Sequence, residues 1–408
     1  MQGKKKLKDF NIKESVGRTG IPIVKEFTII VTDGTLEIGF QWAGKGTTSM
    51  PQGIIYGPLI SAISVFDTKI DDKLSSTSTG GIAAAAVVDL KGIELQTTSF
   101  TLSQIKAATN DFHASNKIGE GGFGPVYKGT LADGTMIAVK QLSARSKQGN
   151  REFVTEIGMI SALQHPHLVK LYGCCIEGNQ LMLIYEYLEN NSLARALFPQ
   201  ESQLTLDWPT RMKICIGIAR GLAYLHEESR LKIVHRDIKA TNVLLDKNLN
   251  PKISDFSLAK LDEENNTHIS TRIAGTYGYM ALEYALHGRL TEKADVYSFG
   301  IVALEIVSGR CNTRSHPKQE PFILLEWAHV LKENGTLLEL VDTRIGSDCN
   351  IDEVMAMINI ALLCTNPTAS ARPLMSSVVS MLEGKAEVQE YLTDTSISSN
   401  RQMSAERL

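Results

Sequence analysis

Long apolar runs are scarce in this 408-residue chain, and their scarcity removes a whole class of function. The apolar stretch at residues 81–88 stops at Asp89. A membrane-crossing helix needs about 20 apolar residues, so this stretch cannot span. A basic excess is also missing: 42 Lys and Arg stand against 45 Asp and Glu, for a net charge of −3. Nucleic acid is therefore not an expected partner. Cysteine is sparse. All six (Cys174, Cys175, Cys215, Cys311, Cys349, Cys364) fall in the C-terminal two thirds, and none has metal-site spacing. Reduced thiols of a cytosolic domain are the plain expectation. The N-terminal Met1-Gln-Gly-Lys-Lys-Lys-Leu-Lys has no apolar segment behind it, so no signal peptide is expected. What remains is ordinary: 43% hydrophobic residues, enough for a sizeable core, and length for two or three domains.

The most informative stretch is His235-Arg236-Asp237-Ile238-Lys239-Ala240-Thr241-Asn242. It places an acid, a cation and an amide in one short loop. Asp237 suits a hydroxyl to be oriented, Lys239 a phosphate in transfer, and Asn242 a metal ion. Phosphoryl transfer needs those roles, because its catalysis is mostly positioning and charge stabilisation.

Upstream, Gly119, Gly121 and Gly124 form G-x-G-x-x-G, followed by Val126. Glycine lets a backbone approach phosphates closely. A dinucleotide-binding fold is the rival reading and predicts a helix directly afterwards. Instead two short apolar runs flank an Asp133-Gly134 turn, which reads as a hairpin. Lys140 ends the second run, where a cation suits the α- and β-phosphates. It needs a carboxylate partner. Residues 150–163 have helical spacing, with Phe153, Ile157 and Ile160 on one stripe. Glu156 sits beside that stripe and Glu152 one turn earlier competes with it. Downstream, Asp255 follows a short strand-like run and supplies a second oxygen ligand suited to Mg²⁺ beside Asn242.

From about residue 115 to 384 the chain resembles a eukaryotic protein kinase, specifically a plant receptor-like kinase domain. The glycine loop, Ala-Val-Lys140, His-Arg-Asp237, Asp255-Phe, Gly275-Thr-Tyr-Gly-Tyr-Met-Ala-Leu-Glu283, Asp295 and Arg372 fall in that family's order. The resemblance implies an α+β, bilobal kinase fold and ATP-dependent transfer to serine or threonine of protein substrates, the chain itself included. It also implies Mg²⁺, with Mn²⁺ as an alternative. It implies Asp237, Lys239, Lys140 and Glu156 as catalytic residues, and Asn242 and Asp255 as metal ligands. ATP is expected against Ile118, Gly119, Glu120, Gly121, Gly122, Gly124, Val126, Ala138, Lys140, Tyr185, Glu186, Leu188 and Leu244. Glu186-Tyr187-Leu188 is the expected hinge and Tyr185 the gatekeeper. Asp295 is expected to brace the catalytic loop and Glu283 to pair with Arg372. Lys239 and the Gly275-Thr276-Tyr277 segment point to the serine/threonine branch. Arg236 implies control by a phosphate on the loop carrying Thr267, Ser270, Thr271 and Thr276. Ser270 or Thr271 is the expected site, because Thr276 is expected to bond Asp237 and Lys239.

Two positions depart from the family pattern. Ser257 stands where glycine is usual after Asp-Phe, and would cost on the order of 1 kcal/mol if the turn needs positive φ there. Leu282 stands where proline is usual, removing a fixed φ and adding bulk beside a packed segment. A nucleotide-binding pseudokinase acting as an allosteric or scaffolding partner is the alternative these two changes keep open.

Residues 26–66 alternate and turn, with Asp33-Gly34 between apolar runs. Including Trp42-Ala-Gly-Lys-Gly and Tyr56-Gly-Pro-Leu-Ile, they resemble the last strands of a malectin-like β-sandwich, an extracellular module of some leucine-rich-repeat receptor kinases. So short a piece would leave edges exposed, and carbohydrate binding is not expected of it. The sequence thus reads as a partial malectin-like fragment (1–66), a linker and juxtamembrane-like segment (67–114), a kinase domain (115–384) and a flexible tail (385–408). Family members are plasma-membrane receptors. The kinase domain is expected in the cytoplasm, with a receptor-kinase partner compatible with the family. Ile351–Cys364, striped by Val354, Met355, Ile358 and Leu362, is expected to be a core helix.

Overall fold

The computed structural model describes residues 98–121, 124–143, 147–161, 163–177, 180–198, 205–261, 269–270, 273–314, 322–346 and 349–388. All lie in the larger of two compact units, Ser78–Leu408. The expectations placed on residues 1–66, on the 81–88 run, on Gly122, Thr267 and Thr271, and on the tail beyond 388 fall outside the described residues.

The smaller lobe starts earlier than residue 115. Strand β1 (Thr98–Ser99) is followed by helix α1 (Leu102–Thr109), both within the segment read from sequence as linker. Thr101 caps α1: its Oγ1 accepts the Gln104 N–H, while the Gln104 side chain returns to the Thr101 N–H. This reciprocal box satisfies two otherwise orphaned donors. An eight-residue helix is marginal alone. Docking holds it, through Ile105, which is fully buried with Ile137, Val139, Cys175, Met182 and Ile184.

The remaining strands are β2 (Lys117–Gly121), β3 (Gly124–Thr130), β4 (Met136–Ser143), β5 (Leu171–Glu177) and β6 (Gln180–Glu186). They form one sheet in the order β1-β5-β6-β4-β3-β2. The turn after β3 is the expected one, with Gly134 at φ 86°. Side chains alternate across a strand, so β4 serves two layers. Ile137 and Val139 face α1. Ala138 and Lys140 take the opposite face, in register with Tyr185 and Leu183 on β6, and Lys140 also lies opposite Val126 on β3. Helix α2 (Lys147–Ile160) buries Phe153, Ile157 and Ile160 in the large core that also takes Leu183 and Tyr185. The expected stripe is thus the buried one.

The larger lobe is helical. It contains α3 (Leu193–Leu197), α4 (Trp208–Ala223), α5 (Leu282–His287), α6 (Glu292–Ser308), α7 (Leu324–Glu333), α8 (Ile351–Cys364) and α9 (Met375–Leu382). Asp207 caps α4, with Pro209 in the first turn, where its missing N–H costs nothing. Helix α6 is buried along nearly its whole length; α8 packs on it, with Ala361 and Cys364 beside Gly300, and buries Val354, Ile358 and Leu362 while Met355 is half-buried. Ala386 and Val388 still pack against this core beyond the end of α9.

Four short strands position the chemistry. β7 (Ile233–Val234) pairs with β10 (Lys260–Leu261), and β8 (Val243–Leu245) pairs with β9 (Pro251–Ile253). The loop 235–242 runs from β7 to β8, and Asp255 lies between β9 and β10. Two strand pairs thus bring residues 237 and 255 into one site. All six cysteines are free thiols.

Candidate active site

Lys140 is the hub. Its Nζ lies 2.8 Å from Glu156 Oε2 and 3.0 Å from Asp255 Oδ1. The strand supplies the lysine, α2 the glutamate, and the β9–β10 connection the aspartate. Glu156, and not Glu152, is the partner. Burial alone would lower the Lys140 pKa, but the Glu156 and Asp255 charges outweigh it and the value is raised. Burial would raise that of Asp255, yet Lys140 holds it below the ordinary carboxylate value, helped by Ser257. The buried Tyr185 hydroxyl donates to the other Glu156 oxygen, Oε1. Burial followed by the Glu156 charge pushes the Tyr185 pKa well up, so the phenol stays a donor.

Asp237 is held from three sides. Thr276 Oγ1 donates to its Oδ1 at 2.6 Å. Asn242 Nδ2 donates to its Oδ2 at 3.0 Å, and Lys239 Nζ lies 2.8 Å from that same oxygen. Lys239 Nζ also donates to Thr276 Oγ1 at 2.8 Å. The expected bridging place of Thr276 is the observed one.

The loop hangs from one buried carboxylate. Asp295 Oδ2 accepts the His235 N–H at 2.7 Å and Oδ1 the Arg236 N–H at 2.8 Å. His226 Nε2 bonds Asp295 Oδ2 at 3.0 Å. Burial opposes charge at Asp295, but these donors, His226 first, keep its pKa low. Arg236 stands at φ 72°. Its guanidinium bonds the Tyr284 hydroxyl through Nε at 3.1 Å and again through Nη2, and the Leu258 carbonyl at 2.9 Å. The arginine expected to meet a loop phosphate thus has protein partners. Ser270 lies in a two-residue strand opposite Arg289.

The residues expected around the nucleotide spread over β2, β3, β4, β6 and β8 and the segment that follows β6. Ile118 is exposed on β2, while Val126, Ala138 and Leu244 are half-buried and Leu188 is buried. A cavity of about 410 Å³ beside the segment after β6 is lined by residues that include Lys117, Ile118, Tyr187, Glu189, Asn191 and Arg195. Lys117 pairs with Glu120 at the rim. Gly124 is required as glycine: at φ 134°, an added Cβ would lie 2.0 Å from the Gln141 carbonyl oxygen. At Gly119 a Cβ would meet nothing within 4 Å. The Glu186 side chain is engaged within the protein, accepting the Lys170 N–H at 2.8 Å and pairing with Lys252 at 2.9 Å.

Both departures from the pattern look different in three dimensions. Positive φ falls on Asp255 itself, at 65°, and Ser257 lies within a 3₁₀ turn, Phe256–Leu258. No left-handed conformation is demanded of the serine, so the expected cost does not arise. Leu282 is the first residue of α5 and 54% exposed, so its bulk meets solvent and not a packed segment. The Glu283–Arg372 pair beside it is intact and bidentate, at 2.7 and 2.9 Å.

One residue was not singled out from sequence. Glu305 on α6 is fully buried. Its Oε1 accepts the Tyr279 hydroxyl at 2.7 Å and the Asn312 N–H at 2.9 Å. Asn312 Nδ2 in turn holds the Gly278 carbonyl at 2.8 Å. Glu305 Oε2 and Asn312 Oδ1 have no partner among the described residues. The available signal was a lone carboxylate inside the apolar run Ile301–Val307.

A divalent cation fits the donor set. Asn242 spends its amide nitrogen on Asp237, leaving Oδ1, and Asp255 spends Oδ1 on Lys140 and Ser257, leaving Oδ2. Two hard oxygens suit Mg²⁺, which takes few protein ligands and completes its shell with phosphate and water. Among the described residues no helix is long and apolar enough to cross a membrane.

Comparison with known proteins agrees with this geometry. The family model for protein tyrosine and serine/threonine kinase matches residues 112–382, and that for the malectin domain matches residues 1–63. A probable leucine-rich repeat receptor-like serine/threonine-protein kinase of Arabidopsis thaliana is 60% identical over 98% of this chain and 43% of its own length. Two further probable receptor-like serine/threonine-protein kinases of that plant are 62% and 63% identical, over 96% and 94% of this chain and 41% and 40% of theirs. The chain therefore spans less than half the length of these relatives. Matched over two thirds of its own length, and with the paired lysine and the suspended aspartate in place, it belongs to the protein tyrosine and serine/threonine kinase family.

Proposed function

We propose that this chain transfers the γ-phosphate of ATP to serine or threonine hydroxyls of proteins, itself included. The observation that carries the reading is Lys140 bonded to Glu156 and Asp255 at once, an assembled cation between the glycine-loop sheet and the catalytic loop. In this reading Lys140 meets the α- and β-phosphates, and β2 and β3 cover them with little side-chain bulk. Val126, Ala138 and Leu244 sandwich the adenine, and the backbone of 186–188 meets its edge. Asn242 Oδ1 and Asp255 Oδ2 hold Mg²⁺ or Mn²⁺, which neutralises phosphate charge when bound. Asp237, fixed by Thr276, Asn242 and Lys239, keeps lone pairs for the substrate hydroxyl and takes its proton late. Lys239 neutralises the phosphoryl group in flight. Arg236 and a phosphate on Ser270 or Thr271 remain the proposed control point.

The kinase body runs from residue 98 in this reading and works in the cytoplasm. It acts on protein substrates, with a receptor-kinase partner and without carbohydrate binding by residues 1–66. The pseudokinase alternative loses its support, since Ser257 needs no left-handed backbone and Leu282 faces solvent.

Labelled ATP with a generic basic protein, and with the chain alone, tests the assignment. Phosphate should appear on serine or threonine and vanish in Asp237→Asn. Absence of transfer with nucleotide still bound would overturn it.

A further inference from the structure

The hydroxyl of Ser257 has a partner that glycine at this position could never have. Ser257 is 6% exposed, and its Oγ donates to Asp255 Oδ1 at 2.9 Å. The same oxygen accepts Lys140 Nζ at 3.0 Å. Asp255 is therefore gripped by two donors on one oxygen, one from β4 and one from its own turn. The turn itself is anchored: Phe256 is fully buried, packs edge-on to His235 at 4.8 Å, and residues 256–258 lie against α2.

We propose that Ser257 is a positioning residue for the metal-binding carboxylate, clasping Asp255 Oδ1 so that Oδ2 is presented as a single, fixed oxygen to the cation. This deepens the proposed function and rests on it. The physical case has three parts. A residue in the left-handed region is one that glycine, asparagine or aspartate tolerates best, and here that residue is the ligand itself. Its carboxylate could rotate about χ1 and χ2, and each donor bonded to Oδ1 restricts that rotation. Mg²⁺ demands near-ideal octahedral geometry, so fixing one oxygen in advance lowers the cost of binding. With glycine at 257, Lys140 would be the one side-chain donor left to Asp255 Oδ1 among the described residues. Here the grip persists even when Lys140 turns toward a phosphate.

The test measures binding, not turnover. Dissociation constants for a fluorescent ATP analogue are taken with and without Mg²⁺ on the full chain and on Ser257→Ala, Ser257→Gly and Asp255→Asn. The ratio of the two constants isolates the metal. One hydrogen bond of ordinary net strength, felt by the metal only through Asp255, predicts that this ratio falls about three- to tenfold in both Ser257→Ala and Ser257→Gly, with the metal-free constant unchanged. Amide exchange of residues 256–259 in metal-free protein should quicken in both variants. An unchanged ratio in Ser257→Ala would overturn the proposal, and so would a Ser257→Gly ratio above that of the parent. Asp255→Asn separates the two levels of the argument. If it keeps the full Mg²⁺ effect, the site assignment fails; if it loses it while Ser257→Ala does not, only the clasp fails.

Discussion

Replacing Glu305 by glutamine should make the protein's stability less dependent on pH. The carboxyl is fully buried, and burial raises its pKa from an ordinary 4.5 to about 7. The Asn312 N–H, the Tyr279 hydroxyl and the Cys311 thiol oppose that rise without cancelling it. A folded value above the unfolded one sets the sign. The favourable contribution is complete below about pH 4.5 and is lost as pH climbs through 7. The size follows from the shift, about 3 kcal/mol across that window. Glutamine keeps an oxygen for Tyr279 and Asn312 and has no proton to lose; any cost of its amide donor is the same at every pH and leaves the slope unaffected. Thermal unfolding of parent and Glu305→Gln between pH 5 and 8.5 reads the effect. All other titrating groups cancel in the difference. The variant should gain on the parent by roughly 6–10 °C across that range. A difference that stays flat with pH would refute the assignment of a neutral, buried acid under the Gly278–Tyr279 segment.

Leu282→Pro should stabilise the protein by about 0.4–1 kcal/mol, because proline suits the first position of a helix and stiffens the unfolded chain. Ala281 before it is already extended, at φ −64° and ψ 143°, as a residue preceding proline must be. A lower midpoint in urea would contradict that. Ile105→Ala should cost about 2–5 kcal/mol by opening a cavity under α1, visible as an earlier thermal transition. An unchanged transition would mean that α1 does not contribute to the smaller lobe.

Charged and polar groups were the legible part of this chain. Lys140, Glu156, Asp237, Asn242 and Asp255 each need a specific partner, and the motif spacing implies those partners before any fold is drawn. Backbone conformation was harder to read. The strain expected at Ser257 falls two residues earlier, because burial of Phe256 and the pull of Lys140 set the turn, and neither is visible in a tripeptide. Leu282 was judged by the residue it replaces, not by the solvent it meets. The segment 98–114 read as linker because its apolar stripe is short and its stability comes from docking. Thr101 and Gln104, three apart just ahead of Ile105, were the overlooked capping signature. Glu305 escaped notice since a single carboxylate in an apolar helix has no motif, and its role depends on Tyr279, 26 residues away.

The attachment of β1 has a mechanical meaning. It joins β5 at one edge of the sheet, through two parallel register pairs and the Phe100 N–H to the Cys174 carbonyl at 2.9 Å. Gly173 permits the approach, as any Cβ there would lie 1.9 Å from the Thr98 oxygen. The glycine loop lies at the opposite edge, beyond β6, β4 and β3. Tension applied upstream of residue 98 would load β1 in shear and enter the lobe through β5, next to β6. Such a pull would reach β5 and β6 before it reached the glycine loop.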